Sequence, residues 1–123
     1  MGGGKPHKVL LVEDDARVLD MLARHLDTLG YDVAAVASSD EARGRLQRGE
    51  TPAVVIIDHD LGPADCGEDL AGEIRTALPG TVILGMSGSA VEERFLDAGA
   101  DGFVAKPFEL GALSRKIASL TKP

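Results

Sequence analysis

The chain has 123 residues, 44% hydrophobic and 27% charged, with a formal net charge of −7 and no Trp. That length suits one domain, and with only 3% aromatics its core must be built from aliphatic side chains. The acidic balance argues against direct binding to nucleic acid. The lone cysteine, Cys66, excludes an internal disulfide and fits a reducing cytoplasm. No apolar run approaches the ~18 residues of a membrane span.

Met1 to His7 reads as a flexible leader. The first strand is expected over Lys8 to Glu13, where Val9-Leu10-Leu11-Val12 runs into Glu13-Asp14-Asp15. Asp15 can cap a helix that runs to about Leu29, with Val18, Leu19, Leu22, Leu26 and Leu29 on one face, and Gly30 ends it. Tyr31 to Val36 reads as a second strand. Ser38 and Glu41 make a capping-box pair for a helix ending near Gly49. Ala53 to Asp58 is the third strand, dense in β-branched residues. A Gly/Pro loop from Leu61 to Gly67 follows, then a helix marked by Leu70, Ala71, Ile74 and Leu78 and stopped by Pro79-Gly80. Thr81 to Met86 is the fourth strand. Ser89 with Glu92 is expected to cap a short helix ending at Ala98-Gly99. Gly102 to Ala105 is the fifth strand, and Leu110, Leu113, Ile117 and Leu120 mark the last helix.

Continuous apolar runs alternating with amphipathic stretches describe strands buried on both faces of a parallel sheet, an α/β fold. Five βα units fill the 123 residues and leave no room in them for a second domain. In such sheets ligands bind beyond the carboxyl ends of the strands. Each of four runs leads straight into useful chemistry: Glu13-Asp14, Asp58-His59-Asp60, Ser87-Gly88 and Lys106-Pro107. Carboxylates supply hard oxygen ligands for Mg²⁺ or Mn²⁺. A carboxylate beside such an ion can attack phosphorus, while a hydroxyl and an amine hold the equatorial oxygens.

From Lys8 to Leu120 the chain resembles the receiver domains of two-component response regulators. Glu13-Asp14 matches the acidic pair after the first strand, Asp58 the phosphoacceptor after the third and Ser87 the hydroxyl residue after the fourth. Lys106-Pro107 matches the lysine after the fifth, where the family usually has a cis proline bond, and Phe103 the aromatic switch position three residues earlier. The resemblance implies a three-layer, doubly wound, five-stranded parallel sheet of order 2-1-3-4-5 with five helices, one receiver domain over 8–121 and no output domain in this chain. It implies phosphoryl transfer to Asp58 from a histidine kinase or phosphotransfer protein. The metal would be held by Glu13, Asp14, Asp58 and mainly the backbone carbonyl of Asp60, and the phosphate by Ser87, Gly88 and Lys106. A switch through Ser87, Lys106 and Phe103 would then alter binding to a downstream protein. A cytoplasmic monomer or weak homodimer follows, modifying itself rather than turning over a substrate.

Three departures stand out. Pro63 and Gly67 each fall one place later than the family pattern, which points to a one-residue insertion within Gly62 to Cys66. The stretch from Ser87 to Lys106 is short by about three residues, trimming the fourth helix. Asp60 places a carboxylate where related proteins tune the lifetime of the acyl phosphate together with the position of Ser89. Two other functions compete: a receiver-like interaction module that works without phosphorylation, and a small haloacid-dehalogenase-type phosphatase using Asp58-His59-Asp60 as its Asp-x-Asp motif. The second lacks an acidic pair after Lys106, where only Glu109 follows. Strand alternation points His59 away from Asp58, which speaks against a general-base role.

Overall fold

Side by side, the apolar runs pair into one parallel sheet. The computed structural model describes residues 7–121. Its elements are β1 (Lys8–Val12), α1 (Ala16–Thr28), β2 (Asp32–Val36), α2 (Ser39–Gln47), β3 (Val54–Asp58), α3 (Gly67–Ala77), β4 (Val82–Ser87), α4 (Glu92–Ala98), β5 (Gly102–Ala105) and α5 (Leu110–Leu120). All five strands run parallel in the order β2-β1-β3-β4-β5. This is the flavodoxin-like, doubly wound arrangement expected from the sequence.

Alternation along the central strands sorts their side chains onto two faces. Val9, Leu11, Val54, Ile56, Leu84 and Met86 pack with Leu22 and Leu26 of α1 and Leu113 and Ile117 of α5. Leu10, Val12, Val55, Ile57 and Ile83 face Leu70, Ala71 and Ile74 of α3 and Phe95 of α4, with Ala42 of α2 beside them. Two helices thus cover one face and three the other. β3 is buried along its full length, which is why it reads as an unbroken apolar run. Among the described residues no helix is long and apolar enough to cross a membrane.

Local chemistry sets most element ends. The Asp15 carboxylate accepts from the backbone N–H of Arg17 (3.0 Å) and Val18 (3.4 Å), satisfying orphan donors at the start of α1. Asp15→Ala is therefore expected to cost about 1 kcal/mol and lower the thermal midpoint by about 4 °C; an unchanged midpoint would mean that water caps this helix as well as Asp15 does. Ser38 caps α2 as expected, accepting from the Glu41 N–H at 3.1 Å.

Three expectations are corrected. Ser89 does not cap α4: the cap position falls on Val91, with no side-chain bond, and the Ser89 N–H instead donates to Ser87 Oγ at 2.9 Å. The strand pairing of β4 carries on through Ser87, one residue beyond the apolar run, because Ser87 pairs in register with Ala105. His7, assigned to the leader, accepts from the Asp32 N–H through its carbonyl at 3.0 Å and so extends the β1–β2 pairing. The rest of that leader, residues 1–6, lies outside the described residues.

Candidate functional site

The chain reverses its winding direction between β1 and β3, so the carboxyl ends of these strands frame a crevice. Glu13 follows β1, Asp58 ends β3, Ser87 ends β4 and Lys106 follows β5. The Lys106 N–H donates to the Ser87 carbonyl at 2.8 Å, fixing the start of the β5–α5 connection beside β4, and the Lys106–Pro107 bond is cis. The four side chains reach one edge because each strand stops at the same level of the sheet.

Two of these carboxylates are almost wholly removed from water: Glu13 is 1% exposed and Asp58 3%. The Lys106 ammonium lies between them, donating to Glu13 Oε1 at 2.7 Å and standing 3.2 Å from Asp58 Oδ1. The second contact is an ion pair without hydrogen-bond alignment, so Asp58 Oδ1 is a buried acceptor with no hydrogen-bond partner. Burial, reinforced by the charge of Glu13, pushes the Asp58 carboxyl up to about 6, and Lys106 offsets only part of this. Burial and Glu13 also raise Asp14, while the charge of Lys106 lowers it. For Lys106 burial works against the charge, but the hydrogen bond to Glu13 and the charge of Asp58 prevail and raise it.

Glu13, Asp14 and Asp58 each offer a carboxylate oxygen within 4.8 Å of the others. Three hard donors, two in the core and one exposed, fit a divalent cation such as Mg²⁺ that keeps waters and phosphate oxygens in its remaining positions. Asp58 Oδ1 lacks a hydrogen bond, and burial with Glu13 pushes two of these carboxyls upward; a further positive charge would relieve both beyond what Lys106 does. The donor set therefore fits the metal. Asp60 is not in this cluster; its side chain is 71% exposed, and its backbone bridges antiparallel to Cys66.

That bridge explains how the irregular loop is accommodated. It closes residues 61–65 into a compact turn, with Gly62 at φ +124°, where a side chain would be strained. Asp65 pins the turn to α2, accepting from Ser39 Oγ (2.6 Å) and the Ser39 N–H (3.1 Å). The loop then enters α3 through Gly67, whose N–H donates to the His59 carbonyl at 3.1 Å.

The remaining expected residues fall as follows. Ser87 is fully buried and its Oγ accepts from Ser89. Gly88 is exposed at the mouth of the crevice. Phe103 is half-buried, its ring 5.8 Å from that of Phe95 and tilted by 42°. His59 points away from the carboxylate cluster, as alternation implies, and contacts Glu68 through Nδ1 at 2.6 Å. Glu68 and its partner Arg94 were not expected. An acid in the first turn of a helix reads as solvated, yet Glu68 lies three residues before Ala71 on the buried face of α3.

One concavity of about 410 Å³ lies along the loop after Asp58, lined by His59, Asp60, Asp65 and Asp69. A groove of about 300 Å³ lies at the other end of the strands, beside Lys8, Asp32 and Arg45.

Comparison with known proteins agrees with the geometry. The family model described as the response regulator receiver domain matches residues 9–118. The chain belongs to that family. As a receiver domain it is a signalling domain of two-component systems rather than a classical enzyme, and a kinase or phosphotransfer protein is the kind of partner the family implies. It is 33% identical over 110 residues to the transcriptional regulatory protein PdtaR of Mycobacterium tuberculosis (strain CDC 1551 / Oshkosh), matching 88% of this chain and 53% of that protein. The chain spans about half the length of the curated relatives it matches, 48% to 51% in three cases. Its fold superposes on a CheY-like response regulator receiver domain protein from Methanospirillum hungatei JF-1 with a TM-score of 0.86 at 29% identity, covering 93% of this chain and 92% of that one. A response regulator from Burkholderia pseudomallei, solved with a phosphorylated aspartic acid, a calcium ion and citrate, gives 0.82 at 28% identity, covering 94% of this receiver and 67% of that chain.

Proposed function

We propose that this receiver accepts a phosphoryl group on Asp58 from the phosphohistidine of a kinase or phosphotransfer protein. The observation that carries the reading is a buried carboxylate with an oxygen that has no hydrogen bond, set among two further acids and one lysine. With its carboxyl near 6, Asp58 is mostly ionised at neutral pH, the form needed for attack. An Asp58 oxygen bonds to phosphorus as the P–N bond of the donor breaks, and the bonding electron pair leaves on the imidazole nitrogen. Bound Mg²⁺ would supply charge neutralisation for the incoming phosphoryl oxygens, held by Glu13, Asp14, Asp58 and the Asp60 carbonyl.

The other residues complete the site. Lys106, now shared between Glu13 and Asp58, is within reach of a phosphoryl oxygen on Asp58. Ser87 Oγ already accepts from Ser89, which leaves its hydroxyl proton for a second oxygen, and the N–H of Gly88 stands beside it. Movement of Ser87 toward the phosphate draws β4 with it. Phe103, packed on Phe95 at the rim of β5, then turns inward and changes the surface that a downstream protein reads. This is a population shift between two packings, driven by contacts that only the phosphorylated state makes. The phosphorylated aspartic acid and bound calcium of the Burkholderia pseudomallei relative support the assignment by analogy.

Intact-mass analysis after incubation with acetyl phosphate and Mg²⁺ tests it. One phosphoryl adduct is expected on the parent, and none on Asp58→Ala or on the parent without metal. An adduct that survives in Asp58→Ala would move the acceptor elsewhere, and no adduct on the parent would favour a phosphorylation-independent module.

A further inference from the structure

Three polar side chains form a relay that the phosphoryl chemistry does not use. Glu68 is only 6% exposed and faces His59 Nδ1 with one oxygen (2.6 Å) and Arg94 Nε with the other (2.9 Å). Burial alone would raise the Glu68 carboxyl, but the hydrogen bond from His59 and the charges around it hold it below the ordinary range. An ionised carboxylate only accepts, so His59 carries its proton on Nδ1.

The relay ties the loop after Asp58 to α4. The residue after Asp58 is locked by its backbone: the His59 N–H donates to the Met86 carbonyl of β4 at 2.9 Å, and its carbonyl accepts from Gly67 at the start of α3. Its side chain reaches α4 through Glu68 and Arg94. The next residue, Phe95, is fully buried, packs against Phe103, and lies so close over Gly85 that a Cβ there would stand 2.5 Å from its ring. Holding Arg94 therefore holds the turn that seats Phe103.

At its start α4 has little local support. It has seven residues, no side-chain N-cap and, in its body, no basic residue in the last turn. A helix this short owes its position to tertiary contacts rather than to its own propensity. The Arg94 side chain is 60% exposed and meets the almost fully buried Glu68 as an ion pair, without hydrogen-bond alignment at Glu68 Oε2.

We propose that Glu68, bridging His59 and Arg94, is a latch that holds α4 in the unphosphorylated arrangement and sets how readily the receiver switches. The inference rests on the phosphoacceptor reading above. A contact made in one arrangement and lost in the other biases their equilibrium, and by reciprocity it weakens the binding of any ligand that selects the second. Breaking the latch releases α4 and frees Phe103 to follow Ser87.

The test is titration of the parent, Arg94→Ala and Arg94→Lys with beryllofluoride and Mg²⁺, followed by the backbone amide signals of Gly85, Phe95 and Gly99. Arg94 lies outside the acceptor cluster and its side chain is largely exposed, so the substitution is expected to leave the fold intact. Arg94→Ala should bind beryllofluoride about fivefold more tightly, with its α4 signals displaced toward the saturated parent's even before ligand is added. Arg94→Lys, which keeps the charge, should stay close to the parent. Equal or weaker affinity in Arg94→Ala, with the parent binding normally, would overturn the latch alone. A parent that does not bind beryllofluoride would overturn the phosphoacceptor reading and the latch with it. A lower thermal midpoint without a change in affinity would reduce the relay to a structural brace.

Discussion

Gly67→Ala is expected to lower the free energy of unfolding by about 3 kcal/mol or more, a fall of roughly 12 °C in thermal midpoint for a domain this size. The reason is not conformational freedom, since Gly67 has no left-handed backbone angle. It is space. A Cβ on Gly67 would lie 2.1 Å from the backbone oxygen of Asp58, 2.9 Å from its carbonyl carbon and 2.7 Å from Ile57 Cγ2. Two of those three are main-chain atoms at the end of the central strand, which cannot step aside as a flexible side chain can. Relief requires moving the start of α3 or the end of β3. Either movement disturbs the hydrogen bond from Gly67 to His59 and displaces Asp58 itself. Urea denaturation of the variant, with Mg²⁺-dependent phosphorylation measured on the folded fraction, checks both parts. A loss below 1 kcal/mol with normal phosphorylation would show that this edge of the sheet is far softer than its packing indicates.

Gly67 also illustrates what the sequence made legible and what it did not. Strands were legible because burial on both faces leaves an unbroken apolar run, and Val54–Asp58 is the plainest instance. The acidic pair, Asp58, Ser87 and Lys106 were legible because each closes or follows such a run, and a parallel sheet brings all such ends to one edge. The displaced glycine was visible as an irregularity, but its cause was not. Only the folded chain shows that the extra residue is absorbed by the Asp60–Cys66 bridge and the Asp65–Ser39 pair, so that Gly67 still arrives against Asp58.

Glu68 and Arg94 were hidden for a different reason. Their partnership joins α3 to α4 across 26 positions of sequence, and nothing local distinguishes a buried helix-start acid from an exposed one. Ser89 misled because a serine three residues before a glutamate satisfies the capping pattern. The backbone there is committed to Ser87 Oγ instead, a contact formed across the mouth of the site. A contact two residues back thus took the place of the helix cap.

Asp58→Asn is expected to make the metal-free domain more stable at pH 7, by on the order of 2 kcal/mol, or roughly 8 °C in midpoint. The folded carboxyl stands near 6 because it is buried beside Glu13, whereas in the unfolded chain it returns to the ordinary value of about 3.9. Its folded value is thus raised above the unfolded one. Between about pH 4 and 6 the unfolded chain gives up this proton first, so stability falls as pH rises through that window and the loss is complete above it. Asparagine keeps the shape and removes the charge, so the advantage of the variant should fade toward pH 4. Glu13, Asp14 and Lys106 are the charged groups that face this position, and Lys106 keeps Glu13 as its partner in the variant. Mg²⁺ should reverse the order. It relieves in the parent the same repulsion that asparagine removes, and at a hundredfold excess over its dissociation constant it adds about 2.7 kcal/mol. The variant, short of one carboxylate, should gain less. Thermal melts at pH 4 and 7, each with and without Mg²⁺, separate these contributions. A metal-free variant less stable than the parent at pH 7 would mean that the pull of Lys106 on Asp58 outweighs burial and the repulsion of Glu13, and that the acceptor is held by its lysine rather than strained against its neighbours.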